Sequence, residues 1–520
     1  MNESGRPKTL VLGLDVGDGA LIRRWAGEGR LPALASLIEQ GAWSWLDTTA
    51  DTLHVSAWPT IYTGAMPGEH GVYFTFQPLP GVQGYEKFRG DQYGRPTFWN
   101  LLSRAGVRCT VLDAPYTHPE VGSDATQIFD WGSWARHWKS MSTPPPLLRR
   151  MERACGRYPL GLDALDIGLA RLDPAEMRER LVTAVDARTR AALWLERQVA
   201  WDVLFVVFAE THPAAHYCWA PDDGSGHADG GPALDDLLAV YQAVDRGIGE
   251  LVDRVGEDTT VLVVSGDGVA PNRAGWHLLP EALRRLGFLA EATPADRPDE
   301  TAAGGRARGI RDPIRRLRDA LPKDMRKALA RRLPASIRHR LARRVDTAGI
   351  DWSRTRAFCL PTDLEGYIRV NVRGREPLGI VAEGSEYRRV CDELVAALAE
   401  LTDATTGRPA VREVIRVDDA FPGHRRARLP DLVVVWDREQ PLQALTSPAT
   451  GLLSEPSPDA RPGTHAGPGF LLRRGELGDA ADEPSHIRDI APALLSRYGV
   501  QVPEYMMTER DRTIPEGGRT

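Results

Sequence analysis

Cysteine is scarce in this chain. There are five among 520 residues: Cys109, Cys155, Cys218, Cys359 and Cys391. They are scattered and form no CxxC pair, which excludes a disulfide framework and a cysteine-based zinc site. Long apolar runs are also missing. None approaches the ~18 residues that cross a bilayer, and the polar stretch Met1 to Lys8 carries no signal-peptide pattern. The expected compartment is the cytoplasm. An excess of basic charge is missing too. Lys and Arg number 65 against 71 Asp and Glu, a net charge of -6, which gives no support to a dedicated nucleic-acid binder. Material for a core is not missing. Hydrophobic residues at 42% and charged residues at 26% exclude a disordered or fibrous chain. The length allows two to four domains, or one large enzyme domain with an insertion.

Short apolar runs recur between helical patterns. Lys8 to Asp15 (KTLVLGLD), Val107 to Asp113, Val203 to Phe208 and Thr260 to Val264 read as buried strands. Leu21 to Gln40 reads as helix, interrupted around Gly27, Gly29 and Pro32. Strands alternating with helices imply an α/β fold with a mainly parallel central sheet flanked by helices. Ligands of such sheets sit at the carboxyl ends of the strands. Polar residues stand at those ends: Asp15 after the first strand, Glu210-Thr211-His212 and His216 after Phe208, and Ser265-Gly266-Asp267-Gly268 after Val264. Gly463-Thr464-His465 lies far downstream, before another apolar run.

The stretch from 291 to 429 breaks this pattern and is expected to form an insertion and a smaller α+β cap on a body of 1–290 and 430–520. Within 305–344, Arg306 to Arg344 holds 15 Lys and Arg and 3 Asp, a net +12, with leucines, Met325 and Ile337 recurring every four residues. It reads as short amphipathic helices that either pack on the body or contact an anionic partner. Tyr367 to Val372 alternates like a half-buried antiparallel strand. Arg369, Asn371 and Arg373 on it either face solvent or cap the site and bind a phosphate or carboxylate.

His212 and His216 stand four apart, so on a helical turn both imidazoles reach one cation. A third imidazole from His465 completes a three-histidine site with an open position. Zinc suits such nitrogen ligands, with Mn or Fe as alternatives. Asp15 and Asp267 each stand just past a buried strand, where a bare carboxylate is costly and a second divalent cation relieves the cost. The alternatives are a loop cap for Asp15 and a turn residue for Asp267.

The string WPTIYTGAMPGEHGVYF, Trp58 to Phe74, resembles the W-x-[ST]-x-x-TG-x-x-P-x-x-HG signature of the type I phosphodiesterase/nucleotide pyrophosphatase family, within the alkaline phosphatase superfamily. Gly29 to Gly41 resembles that family's G-x-LP-x-L-x-x-L-x-x-G helix, and Ile487 to Leu495 its DIAPT-like run. The resemblance implies an alkaline-phosphatase-like fold and a metal-dependent hydrolase acting on phosphodiester or nucleotide pyrophosphate bonds of a small phosphorylated substrate. A phosphoryl transferase, a sulfate or phosphonate hydrolase and a silent phospho-ligand binder are the rival readings.

It also implies two metal sites. Asp15, His216 and His465 match family ligands, while His212 stands at an aspartate position and Gly266-Asp267 at an Asp-His pair. The family's Thr or Ser nucleophile falls on His54, with Ser56 two residues later. His54 is then a phosphoryl acceptor or a ligand of the second metal. Ser56, suited to a helix N-cap, is the alternative nucleophile, and metal-activated water is the third possibility.

Overall fold

The computed structural model describes residues 5–88, 93–120, 122–132, 140–160, 173–219, 234–292, 349–477 and 483–507. The basic segment 305–344 lies outside them.

Strand β1, Thr9–Leu14, is buried at every position. Such a strand has both faces covered, which is why its sequence is a continuous apolar run rather than an alternation. The next strands of its sheet are, in chain order, β2 (Ala42–Leu46), β3 (Cys109–Leu112), β4 (Thr126–Phe129), β5 (Met141–Thr143), β6 (Val203–Phe208) and β7 (Thr260–Ser265). After them come β8 (Gly268–Pro271), then β9 (Ala357–Leu360), β10 (Gly366–Val370), β11 (Val411–Arg416) and β12 (Leu432–Trp436) of a second sheet. The chain returns with β13 (Gly463–Ala466) and β14 (Gly469–Arg474). The large sheet has eight strands in the order β2-β14-β7-β1-β6-β3-β4-β5. Its centre, β7-β1-β6-β3-β4, is parallel, and the antiparallel pairs lie towards its two edges. The mixed α/β architecture is the one expected.

Helices cover both faces. In chain order they include α1 (Gly19–Gly27), α2 (Pro32–Gln40), α3 (Ala57–Thr63), α4 (Pro174–Gln198), α5 (Thr211–Tyr217) and α6 (Asp235–Val255). Residues of α1, α2, α4 and α6 share one core on one side of the sheet. The start of α2 has no side-chain cap of its own. Asp245 on α6 accepts from the amides of Ala33 and Leu34 at 3.2 and 2.8 Å, so a neighbouring helix caps it in trans. On the opposite face, α3 packs into a separate core with Val11, Phe205 and Leu262. Gly64 closes α3 with φ 59°, and Gly71 closes the next turn with φ 77°. The left-handed region favours glycine, which explains both glycines of the TG and HG pairs.

The second sheet is antiparallel, in the order β9-β10-β12-β11. Its core joins Leu278, Leu283 and Phe288 to Leu432, Trp436, Leu445 and Leu453. The sheet of the expected cap thus shares its core with apolar residues on both sides of 291–429. The alternation at Tyr367–Val372 is not a half-buried strand: β10 lies between β9 and β12 and is buried throughout.

Candidate metal centre

Among the described residues, one group of metal-ligating side chains converges: ring nitrogens of His212, His216 and His465 lie within 4.8 Å of one another. The first two sit four apart on α5, directly after β6, and His465 lies on β13. The antiparallel pairing of β13 with β8 sets Val269 opposite His465, which carries the late histidine to the end of β7.

The bonding of each ring defines what it offers. His216 Nδ1 lies 2.8 Å from the carbonyl of Gly463, His212 Nδ1 3.0 Å from Asp15 Oδ2, and His465 Nδ1 2.6 Å from Asp267 Oδ2. Carbonyl and carboxylate oxygens accept, so Nδ1 donates in each ring and each neutral imidazole keeps a lone pair on Nε2. His212 Nε2 and His216 Nε2 stand 3.0 Å apart. Two lone pairs at that distance repel unless a proton or cation lies between them. Nitrogens in a tetrahedral zinc shell stand about 3.3 Å apart for bonds of ~2.05 Å. The donor set therefore fits a divalent cation, with acceptors behind each ring fixing its tautomer.

Asp15 and Asp267, expected as ligands of a second cation, have Oδ2 against the Nδ1 of His212 and His465 respectively. Asp15 also accepts from Trp58 Nε1 at 2.7 Å. Burial raises the Asp15 carboxyl, but His212, Trp58 and His465 together outweigh this and hold it below the ordinary value. Gly266 explains why no acid directly succeeds Ser265: a Cβ there would lie 2.8 Å from the Cβ of Ala57 at the start of α3.

His54 lies beside the cluster, its ring centroid 4.9 Å from that of His465. Its Nε2 is 3.0 Å from Asp363 Oδ1 and its Nδ1 3.4 Å from the hydroxyl of Tyr367. Burial lowers its pKa, with Asp363 acting in the opposite direction. Ser56 is different. It precedes α3 without making a capping bond, and its buried hydroxyl donates to Thr49 Oγ1 at 2.6 Å. That hydroxyl faces Thr49 rather than the helix amides, contrary to the expected cap.

Arg369 and Asn371 are buried and engaged within the cap rather than facing solvent, whereas Arg373 is exposed. Arg369 pairs with Glu376 at 2.8 Å and donates to the Leu429 carbonyl, and Asn371 donates to the carbonyls of Trp352, Thr355 and Leu378. Arg373 donates to the Ile380 carbonyl. The reason is the interior position of β10, whose polar side chains need partners inside the cap. Glu210 likewise does not reach an imidazole: it binds buried Arg188 and half-buried Tyr158, and Arg188 also binds buried Asp113.

Sequence reasoning missed Asp363 and Arg461. Asp363 lies just past β9, and Arg461 precedes His465 by four residues, bonded to Asp363, Asp459 and His216. Burial raises the Asp363 carboxyl, yet Arg461 and His54 together hold it well below the carboxylate range. The position of Arg461 just before the G-x-H ligand was a usable signal. Nothing in the local pattern marked Asp363.

These features define an α/β protein with a candidate metal site at the carboxyl ends of its parallel strands. A family model described as type I phosphodiesterase/nucleotide pyrophosphatase matches residues 9–444, and the chain belongs to that family. It is thus a hydrolase of phosphoester bonds. No curated protein matches it by sequence. Phosphonoacetate hydrolase from Sinorhizobium meliloti, in complex with phosphonoformate, has a similar fold: TM-score 0.52, 14% identity, covering 95% of this chain and 96% of that one. Murine ectonucleotide pyrophosphatase/phosphodiesterase 5, in an inactive form in complex with AMP, aligns with TM-score 0.47 and 11% identity over 96% of each chain.

Proposed function

We propose that this protein hydrolyses a small phosphorylated or phosphonylated substrate at a single divalent cation, held by His212, His216 and His465. The observation that carries this reading is the set of three Nδ1 anchors, on Asp15, Gly463 and Asp267, which leaves three Nε2 lone pairs converging. Zinc is the cation that best suits three imidazoles, with Mn or Fe as alternatives. When bound, it supplies Lewis-acid polarisation of a phosphoryl oxygen.

The chain's own residues supply the proton chemistry. His54, kept neutral by burial with its Nε2–H against Asp363 Oδ1, takes a proton at Nδ1 from the attacking water. Asp363 Oδ1, 3.0 Å from His54 Nε2, stabilises the imidazolium that forms. Support for His54 over Ser56 is positional: His54 adjoins His465, whereas the Ser56 hydroxyl is bonded to Thr49. The five unpaired cysteines favour a reducing compartment such as the cytoplasm.

The test combines metal analysis with a substrate screen. The purified protein is expected to retain one equivalent of cation and to cleave at least one of an aryl phosphomonoester, an aryl phosphodiester or phosphonoacetate. Cation retained without turnover of any of these, or of an aryl sulfate, would favour a silent phospho-ligand binder instead.

A further inference from the structure

Arg461 lies on the segment leading into β13, and its side chain is 15% exposed. A guanidinium carries five N–H donors in one plane. Three of them are fixed here. Nε lies 2.8 and 3.1 Å from the two carboxylate oxygens of Asp459, and Nη2 lies 2.6 Å from Asp459 Oδ2 and 3.0 Å from Asp363 Oδ2. The two hydrogens on Nη1 have one acceptor among the described residues, His216 Nε2 at 3.3 Å.

That acceptor is the lone pair a cation would take, because His216 Nδ1 is bonded to the Gly463 carbonyl. Cation binding therefore removes the partner of Nη1. Two charged N–H groups are left in a largely enclosed site, beside a second positive charge. Donors of that kind are costly to leave unpaired, and an oxyanion is the group that relieves both charges at once.

We propose that Arg461 is a substrate-binding residue: its Nη1 grips one oxygen of the phosphoryl or phosphonyl group while another oxygen faces the cation, and both Nη1 hydrogens are free of His216 once the cation is in place. The inference rests on the three-histidine cation site proposed above. Asp459 and Asp363 hold the guanidinium plane, which makes the role one for arginine rather than lysine. The same geometry makes anion and cation binding mutually reinforcing.

The test is calorimetric titration of inorganic phosphate into the full-length protein, zinc-loaded and zinc-free, with zinc measured by elemental analysis. Zinc-loaded parent protein is expected to bind phosphate at least tenfold more tightly than zinc-free protein. Arg461→Gln is expected to keep its zinc and to bind phosphate about 10- to 100-fold more weakly. Arg461→Lys should fall between the two, since a point charge lacks the planar fork. Parental phosphate affinity in Arg461→Gln at matched zinc content overturns the proposal. So does undiminished phosphate binding by the zinc-free parent. A parent protein that binds no zinc overturns the three-histidine reading, and this one with it. Should Arg461→Gln fail to fold, Asp459→Asn, which loosens the guanidinium, is expected to weaken phosphate binding at full zinc content. Unchanged affinity in Asp459→Asn and Arg461→Lys together is then the overturning result.

Discussion

His70 shows how a histidine within a motif serves the fold. Its Nε2 lies 3.1 Å from Thr60 Oγ1, its Nδ1 accepts from the Val72 amide, and burial lowers its pKa to about 3. The unfolded chain takes a proton near the ordinary value of 6.5, whereas the folded protein resists it down to about 3. Stability from this residue is therefore full above pH ~6.5 and falls by about 1.4 kcal/mol per unit as the pH drops towards the folded value. Urea denaturation of His70→Gln between pH 7 and 4 should show a shallower acid slope than the parent; equal slopes would remove His70 from the account. At the site itself, His54→Gln should retain the cation and lose roughly a hundredfold to ten-thousandfold in turnover. Ser56→Ala should keep its turnover and lose about 1 kcal/mol of stability, the cost of one buried hydrogen bond. Parallel kinetics and metal analysis of the two variants distinguish them, and a dead Ser56→Ala that folds normally would reverse the assignment.

At the scale of elements, the site depends on how closely β13 approaches α5. A Cβ on Gly463 would lie 2.1 Å from the Ala215 carbonyl and 2.7 Å from the Trp219 Cβ. Gly463→Ala must push β13 away from α5, which separates His465 from His216 and disturbs the carbonyl that anchors His216. Loss of most of the bound cation from a folded Gly463→Ala protein is expected by elemental analysis; full cation content would show that the contact can relax. Beneath α5, the Arg188 guanidinium joins Asp113 and Glu210, all three with side chains wholly buried. Removing it leaves two buried carboxylates uncompensated. Arg188→Met should cost on the order of 3–5 kcal/mol, read as a lower midpoint in chemical denaturation.

On the scale of the whole molecule, body and cap meet through an apolar seam in which Leu53 and Tyr73 pack with Phe358, Tyr367, Leu429 and Val433. Across it the cap brings Asp363 to His54. The three histidines come from α5 and β13 alone. We propose that the basic segment 305–344 is separable from this machinery. Replacing it with a short linker should leave the cation content unchanged, with any effect confined to substrate preference or to an anionic partner. Loss of cation from the folded deletion protein would contradict this.

By itself the sequence determined the parallel strands, the polar residues at their carboxyl ends and the three histidines. Each of these is a local pattern: a continuous apolar run, a four-residue helical spacing, or a motif whose glycines need left-handed backbone, as at Gly64 and Gly71. Only the tertiary structure decided what each side chain faces. Asp15 and Asp267 read as ligands because both are acids after buried strands, yet each lies against an imidazole delivered from about 200 residues away. Arg369 and Asn371 read as surface or substrate contacts, but β10 is an interior strand whose polar groups are bonded within the cap. Asp363 and Arg461 gained their place from contacts with His54 and His216, across 309 and 245 residues of chain. Contacts of such separation depend on how sheets and cap pack, and no local spacing encodes them.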